Sequence, residues 1–430
     1  MRIWYLNDKS PFKVLLPLLL VALFLILSRS SVAKAEELMA KDFFDLGVAQ
    51  LKAQQYDRSI VEFNKAIAIN PKYAEAYYNR GKAYYELKQY DNAIEDFSQT
   101  VSLQPDNPSV YYYRAFSHEH LNQYEQAITD YNKGIAIRPT DQYMYNARGN
   151  AYAELNQYEQ AVADFDKAIA IDPNYAHVYY NRGKIYYKLK QYEKALADFD
   201  KMIANKPNHA SVYTNRGATH AALKHYEQAI ADYDQAIALN PKDPVTYYNR
   251  GTEYAHINKF DQAISDFDKA IAINPQYINA YYNRGLAHAR LNEYAKAIAD
   301  YDRVIDINPQ YANAYTSKGV AYVYLNRYEL AITEYNKAIE IDPLSALMYY
   351  NRGQAYCRLS QYEHAIADFD NTIALDPRYA KAYYMKGVAL ASLNNNQEAI
   401  ATLRQSIQLS TDQEMIRMAN DLIRQFAGTP

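Results

Sequence analysis

The run Tyr77-Tyr78-Asn79-Arg80-Gly81 returns verbatim at Tyr179 to Gly183, Tyr247 to Gly251, Tyr281 to Gly285 and Tyr349 to Gly353, always at a multiple of 34 residues. Near copies fill the gaps, at Tyr111 to Ala115, Tyr145 to Gly149, Tyr213 to Gly217, Tyr315 to Gly319 and Tyr383 to Gly387. A strict period of this length means that one supersecondary unit is copied in series. Such a chain grows by stacking and has no single core, so its 430 residues do not divide into globular domains by length.

Within the unit Ala74 to Asn107, Tyr77, Gly81, Tyr84 and Leu87 follow helical spacing, and Tyr90, Ala93, Ile94, Phe97 and Val101 do so again. Two amphipathic helices are predicted, joined near Lys88 and Gln89. Pro105 ends the second, because proline removes an amide donor and pushes the preceding residue out of the helical region. Asn107 before Pro108 and Asp243 before Pro244 read as helix caps followed by proline at the first helical position. Gly81 and Ala93 are small where antiparallel helices come close. Together with the aromatic positions 77, 84 and 97 and the closing proline, this pattern resembles the tetratricopeptide repeat.

The resemblance covers eleven units, starting near residues 40, 74, 108, 142, 176, 210, 244, 278, 312, 346 and 380, within residues 36–413. It implies an all-α fold, an α-solenoid of 34-residue helix-turn-helix repeats coiled into a right-handed superhelix with first helices lining the concave face. The unit from Pro108 carries Ala115 for the usual glycine and Gly134 inside its second helix, so it is expected to be the weakest joint. Residues 411–427 read as a C-terminal capping helix, with Thr411 and Glu414 as a capping box and Met415, Met418, Ala419, Leu422, Ile423 and Phe426 as its apolar face.

The N-terminus has a different composition. Residues 1–35 hold five basic side chains and one acid, an apolar run from Val14 to Leu27, and Ala33-Lys34-Ala35 in the pattern a signal peptidase reads. A signal peptide with cleavage before Glu36 is expected, hence an exported, periplasmic or secreted protein. The alternative is a membrane anchor over residues 12–28. The remainder carries 41 basic and 48 acidic side chains of mixed order, which gives no electrostatic footprint for nucleic acid. Cys357 is the only cysteine, so no intramolecular disulfide can form.

No nucleophile elbow, phosphate loop or His-Glu-x-x-His pattern is present, so the sequence predicts neither an enzyme nor a cofactor. The Asp-x-Asp pairs, such as Asp164 with Asp166 and Asp266 with Asp268, cannot chelate one ion from a helix, since residues two apart diverge by about 200°. They read as solvated carboxylates around an inward aromatic. His118, His220 and His288 share one repeat position and read as packing replacements for tyrosine. The arginine before each glycine and the aspartate sixteen residues on, as in Arg80 and Asp96, read as ion pairs within or between repeats.

The binding signal lies beside those arginines. Asn79, Asn181, Asn215, Asn249, Asn283 and Asn351 occupy one repeat position, and Tyr78, Tyr180, Tyr248, Tyr282 and Tyr350 precede them. The amides are similar to the asparagine ladder of tetratricopeptide superhelices in peroxisomal import receptors and O-GlcNAc transferase, which implies that they hold the backbone of an extended peptide. Local bonding on the helix surface is the other reading. The expected function is a non-catalytic protein-interaction scaffold. Alternatives are a membrane-tethered assembly factor using its convex face or self-association, and a glycan-binding groove.

Overall fold

The computed structural model describes residues 12–427, with side chains described over 31–426. Among the described residues there are 23 helices and no strand. They pack as two units, one ending at Pro207 and the other beginning at Asn208. Each is a row of antiparallel helix pairs, in which a second helix touches both its partner and the first helix of the next pair.

The type repeat places its first helix at Ala74–Glu86 and its second at Tyr90–Leu103. The turn between them is a Schellman close: the Lys88 amide donates to the Tyr85 carbonyl and the Gln89 amide to the Tyr84 carbonyl, each at 2.9 Å. That geometry puts Lys88 at φ 59°, and the same left-handed residue recurs every 34 positions from Gln54 to Asn394. None is glycine, and six are asparagine, whose short amide tolerates this region better than most side chains. The second turn is also stapled locally. Asn70, Asp172, Asn274 and Asp376 each accept, through Oδ1, the amide two residues on, just past the proline. Where Asn107, Asp141 or Asp243 stands at the helix start, its side chain also caps the helix.

The core of each repeat is the second helix's buried stripe of Ala93, Phe97 and Thr100 against the first helix. Gly81 is small because the Phe97 ring lies on it: a Cβ there would come within 2.8 Å of the ring. Nine further first-helix glycines lie in the same way on the ring or branched side chain sixteen residues later. Gly134 is different. A Cβ on it would meet Met144 Sδ at 2.6 Å, and Met144 is buried. The glycine expected to weaken that repeat is the space its neighbour fills.

The arginines are built into this frame at three points. Arg80 grips Asp96 with two bonds, Nε to Oδ2 at 2.7 Å and Nη2 to Oδ1 at 2.6 Å, and gives Nη1 to Asn64 of the preceding repeat at 2.5 Å. Its guanidinium lies between the rings of Tyr77 and Tyr84, 5.4 and 6.0 Å from their centroids. Arg250 repeats the arrangement with Asp266, Asp234, Tyr247 and Tyr254. Much of the tyrosine content is therefore structural, flanking half-buried arginines. Burial pulls the Arg80 guanidinium down, and the bonds to Asp96 more than reverse it; burial also outweighs Arg80 in raising the Asp96 carboxyl. A pair desolvated at both ends sets register more than it adds stability.

Two sequence expectations need correction here. The first carboxylate of each Asp-x-Asp pair is not solvated: Asp164, Asp198, Asp266 and Asp300 are buried, each held by its own repeat's arginine. The second carboxylate, half exposed, takes the next repeat's cation, as Asp166 takes Arg182 and Asp268 takes Arg284. The final helix, Gln413–Ala427, is capped by Asp412, whose Oδ1 accepts from the Glu414 amide at 3.0 Å and the Met415 amide at 3.3 Å, so Thr411 is not the cap. Its packed face takes Ile416 in place of Met418, which is exposed.

The first repeat's first helix runs Phe12–Lys52, so the register predicted to begin at Ala40 lies inside a longer helix. Ala40 is the first buried side chain among those described. The signal-peptide reading of 1–35 and the anchor reading of 12–28 turn chiefly on side chains outside the described ones. Among the described residues no helix is long and apolar enough to cross a membrane.

Candidate functional site

Six ladder amides sit on first helices, two residues before the glycine that meets the ring, and all are half-buried. They do not act alike. Asn79 Nδ2 donates to the Glu75 carbonyl of its own helix at 2.8 Å. Asn181 reaches the preceding repeat, donating to Asn146 Oδ1 at 3.0 Å, and Asn283 donates to Tyr248 Oη at 3.0 Å. Asn215 also has a partner. Asn249 and Asn351 have no side-chain hydrogen bond among the described residues, so their amides are open to a ligand.

The neighbouring tyrosines point into the repeat rather than standing free. Tyr78 packs on Phe97 and Tyr113, Tyr180 on Phe199, Tyr248 on Phe267 and Tyr277, Tyr282 on Tyr301 and Tyr311, and Tyr350 on Phe369 and Tyr379, with ring centroids 5.0 to 6.2 Å apart. Burial pushes the Tyr78 and Tyr350 hydroxyls up to about 12. They form the floor under the amides.

The open surface lies three, six and seven residues beyond the ladder position. In the first unit a cavity of about 400 Å³ is lined by the first helices Pro108–His120, Gln142–Glu154 and Ala176–Lys188. Its walls bring Glu119 and Glu154 together with Lys184, Lys188 and Asn181. Burial, then the Glu154 charge, pushes the Glu119 carboxyl up to about 7, although the Tyr131 hydroxyl donates to it at 3.0 Å. In the second unit, cavities of about 490 and 610 Å³ share Val320, Tyr324 and Asn351 and so form one groove. Of the ladder residues, Asn181 and Asn351 line these openings, and Asn79 lines a further one of about 320 Å³ beside Val48, Lys82 and Glu86.

Sequence reasoning missed these wall residues, and the signal was available. The repeat holds constant what the frame needs and varies what it does not: Lys82, Phe116, Asn150, Lys184, Ala218, Thr252, Leu286, Val320, Gln354 and Val388 share one position. Elsewhere the special residues are accounted for by packing. His118 Nδ1 is 2.6 Å from Gln123 Oε1 and His288 Nδ1 is 2.6 Å from Glu293 Oε2. Burial pushes the Cys357 thiol up to about 11, which leaves it protonated and unreactive near neutrality. Among the described residues no group of three His, Cys, Asp or Glu could hold a metal.

Stacked helical hairpins of constant length, a glycine seated on an aromatic ring and walls made by successive first helices define an α-solenoid of interaction repeats. Family models described as TPR repeat and tetratricopeptide repeat match residues 47–107, 120–311 and 319–414 in overlapping segments. The chain belongs to the tetratricopeptide repeat family. Among solved structures it is similar to a MamA protein, at 27% identity and TM-score 0.38, over 39% of this chain and 92% of that one. Yeast Tom70 is 16% identical with TM-score 0.41, over 90% and 96%. The C-terminal part of a repeat protein from Cytophaga hutchinsonii is 18% identical with TM-score 0.48, over 56% and 98%. No protein of the curated set matches the chain.

Proposed function

We propose that this chain is a non-catalytic scaffold that binds an extended segment of a partner protein along its first helices. One observation carries the reading: the groove of the second unit, about 490 and 610 Å³ in its two halves, is walled by the first helices of four consecutive repeats and presents the open Asn351 amide and apolar side chains without an aspartate or glutamate. An extended segment gains from such a surface through its backbone, which amides can hold by giving and accepting at once. The scaffold acts outside the cytoplasm, either free after cleavage before Glu36 or held by residues 12–28. In support, the described side chains ahead of Ala40 are all exposed, so removing them takes nothing from the packed core.

The test pans the full-length chain against a random library of acetylated twelve-residue peptides and, in parallel, against a glycan array. Enriched peptides and a silent array are expected. The variant Asn351→Ala, which removes an open amide from the groove wall, should weaken the best peptide by about 0.5 to 1.5 kcal/mol, roughly 2-fold to 12-fold, while its melting temperature holds. A glycan signal without peptides would overturn the reading. Binding lost only together with the fold would move the ladder amides to a structural role.

A further inference from the structure

The groove of the second unit differs chemically from the cavity of the first. Its floor and walls are apolar at the positions where other repeats carry lysine or amides: Leu286, Val320, Leu347 and Val388, with Leu286 and Leu347 exposed. Tyr324 stands between them, 63% exposed and stacked on Tyr294 at 4.8 Å and 3°. Arg290 lines one end and Arg358 the other, at the same repeat position on the first helices on either side of Tyr324. Both are exposed, and neither has an ion pair among the described residues. No aspartate or glutamate lines either half of the groove. In the first unit, by contrast, Lys184 and Lys188 share their cavity with Glu119 and Glu154.

Within the second unit, the first helices Ile278–Arg290, Ala312–Tyr324 and Ala346–Arg358 touch in sequence. At a helix spacing of about 8–10 Å, the two arginines lie roughly 16–20 Å apart along the row, a span that five or six extended residues cover at about 3.3 to 3.6 Å each. Two uncompensated cations bracketing an apolar floor match a partner of opposite charge and similar apolar content. We propose that the groove from Leu286 to Val388 takes an extended protein segment in which apolar side chains are flanked, five or six residues apart, by carboxylates. This rests on the scaffold reading above and adds the chemistry of its partner. Arg290 and Arg358 would each receive a carboxylate as a fork, Leu286, Val320 and Leu347 would receive the apolar residues, and the open Asn351 amide would hold the backbone between.

The composition of the enriched peptides tests this. From the full-length chain they should show an excess of Asp and Glu bracketing Leu, Ile, Val or Phe. The double variant Arg290→Glu, Arg358→Glu alters two exposed side chains, so its melting temperature should match the parent. Its own enriched peptides should keep the apolar excess and exchange the acidic one for Lys and Arg. The best acidic peptide from the parent should bind the double variant at least tenfold more weakly and should lose affinity with added salt. An acidic excess absent from the parent pool, or one that survives in the double variant, overturns this inference and leaves the scaffold reading standing. If no peptide is enriched at all, both fall.

Discussion

At the scale of single residues, the repeat depends on positions where one atom too many or one charge too few changes the energy. Gly217 sits 2.8 Å from the Tyr233 ring and 3.2 Å from the Ala229 carbonyl, measured from where a Cβ would be. Gly217→Leu should therefore overpack the hairpin and cost about 1 to 3 kcal/mol, seen as a lower denaturant midpoint; an unchanged midpoint would mean the helices part there without penalty. Glu253 replaces the alanine found at 83, 151, 287 and 355, is 6% exposed, and its Oε2 has no hydrogen-bond partner. Burial pushes its carboxyl up to about 7. The folded state thus holds a proton that the unfolded chain gives up near 4.5, so stability present below about 4.5 is lost as pH rises through about 7. Glu253→Ala should recover on the order of 3 kcal/mol at pH 8, at about 1.4 kcal/mol for each tenfold change in proton affinity, and almost none at pH 4. Melting curves across this range check it: parallel profiles for parent and variant would remove Glu253 as the cause. Glu119 titrates in the same window, so part of the slope should remain in the variant.

At the scale of the helix pair, the turn is the same device in every repeat, a Schellman close with a left-handed residue that is never glycine. A side chain in that region costs about 1 kcal/mol or more relative to glycine, which lacks the Cβ that crowds the carbonyl. Lys190 has φ 58° and is exposed. Lys190→Gly should therefore raise stability by up to about 1 kcal/mol, and the same change at exposed Lys184, inside a helix, should lower it by a similar amount. If both substitutions shift the melting temperature in one direction, the turn geometry is not what decides. The second turn uses other means, an Asx residue closing on the amide beyond the proline, so the two turns of a repeat can be altered independently.

At the scale of the whole chain, the repeats within each unit are linked by cations that reach backward, Arg182 to Asp166 in the first and Lys318 to Asp302 in the second, while each also holds its own second helix. A row linked in this way stands without the segment ahead of Ala40, which contributes no buried side chain among those described. The mature chain should begin at Glu36 in intact-mass measurement, and a chain starting there should melt within a degree or two of the full one. A mass retaining Met1 would overturn cleavage before Glu36. The closing helix behaves differently: Ala419 is fully buried, with Leu422 and Ile423 partly covered beside it, so deleting residues from Gln413 onward should expose the last repeat and lower its protection from hydrogen exchange.

Period, helix placement and the structural roles of Gly81, Phe97, Pro105 and the Arg80–Asp96 pair were legible in the sequence alone, because each of them recurs and a recurring residue must meet the same surroundings every time. The direction of the tyrosines was not. Tyr78 and Tyr248 look like recognition residues beside an amide, yet whether a ring faces a partner or a core depends on Tyr113 of the next repeat or on Tyr277 just ahead of the next repeat's helix, 35 and 29 residues away. The same holds for the Asp-x-Asp carboxylates: helix geometry separates the two, but only packing decides that the first is buried under its own arginine and the second is met by the next repeat's. The groove of the second unit is likewise a tertiary property. Leu286, Val320, Leu347, Arg290 and Arg358 are scattered through 73 residues of sequence as departures from the repeat, and they become one surface only because successive first helices stack side by side.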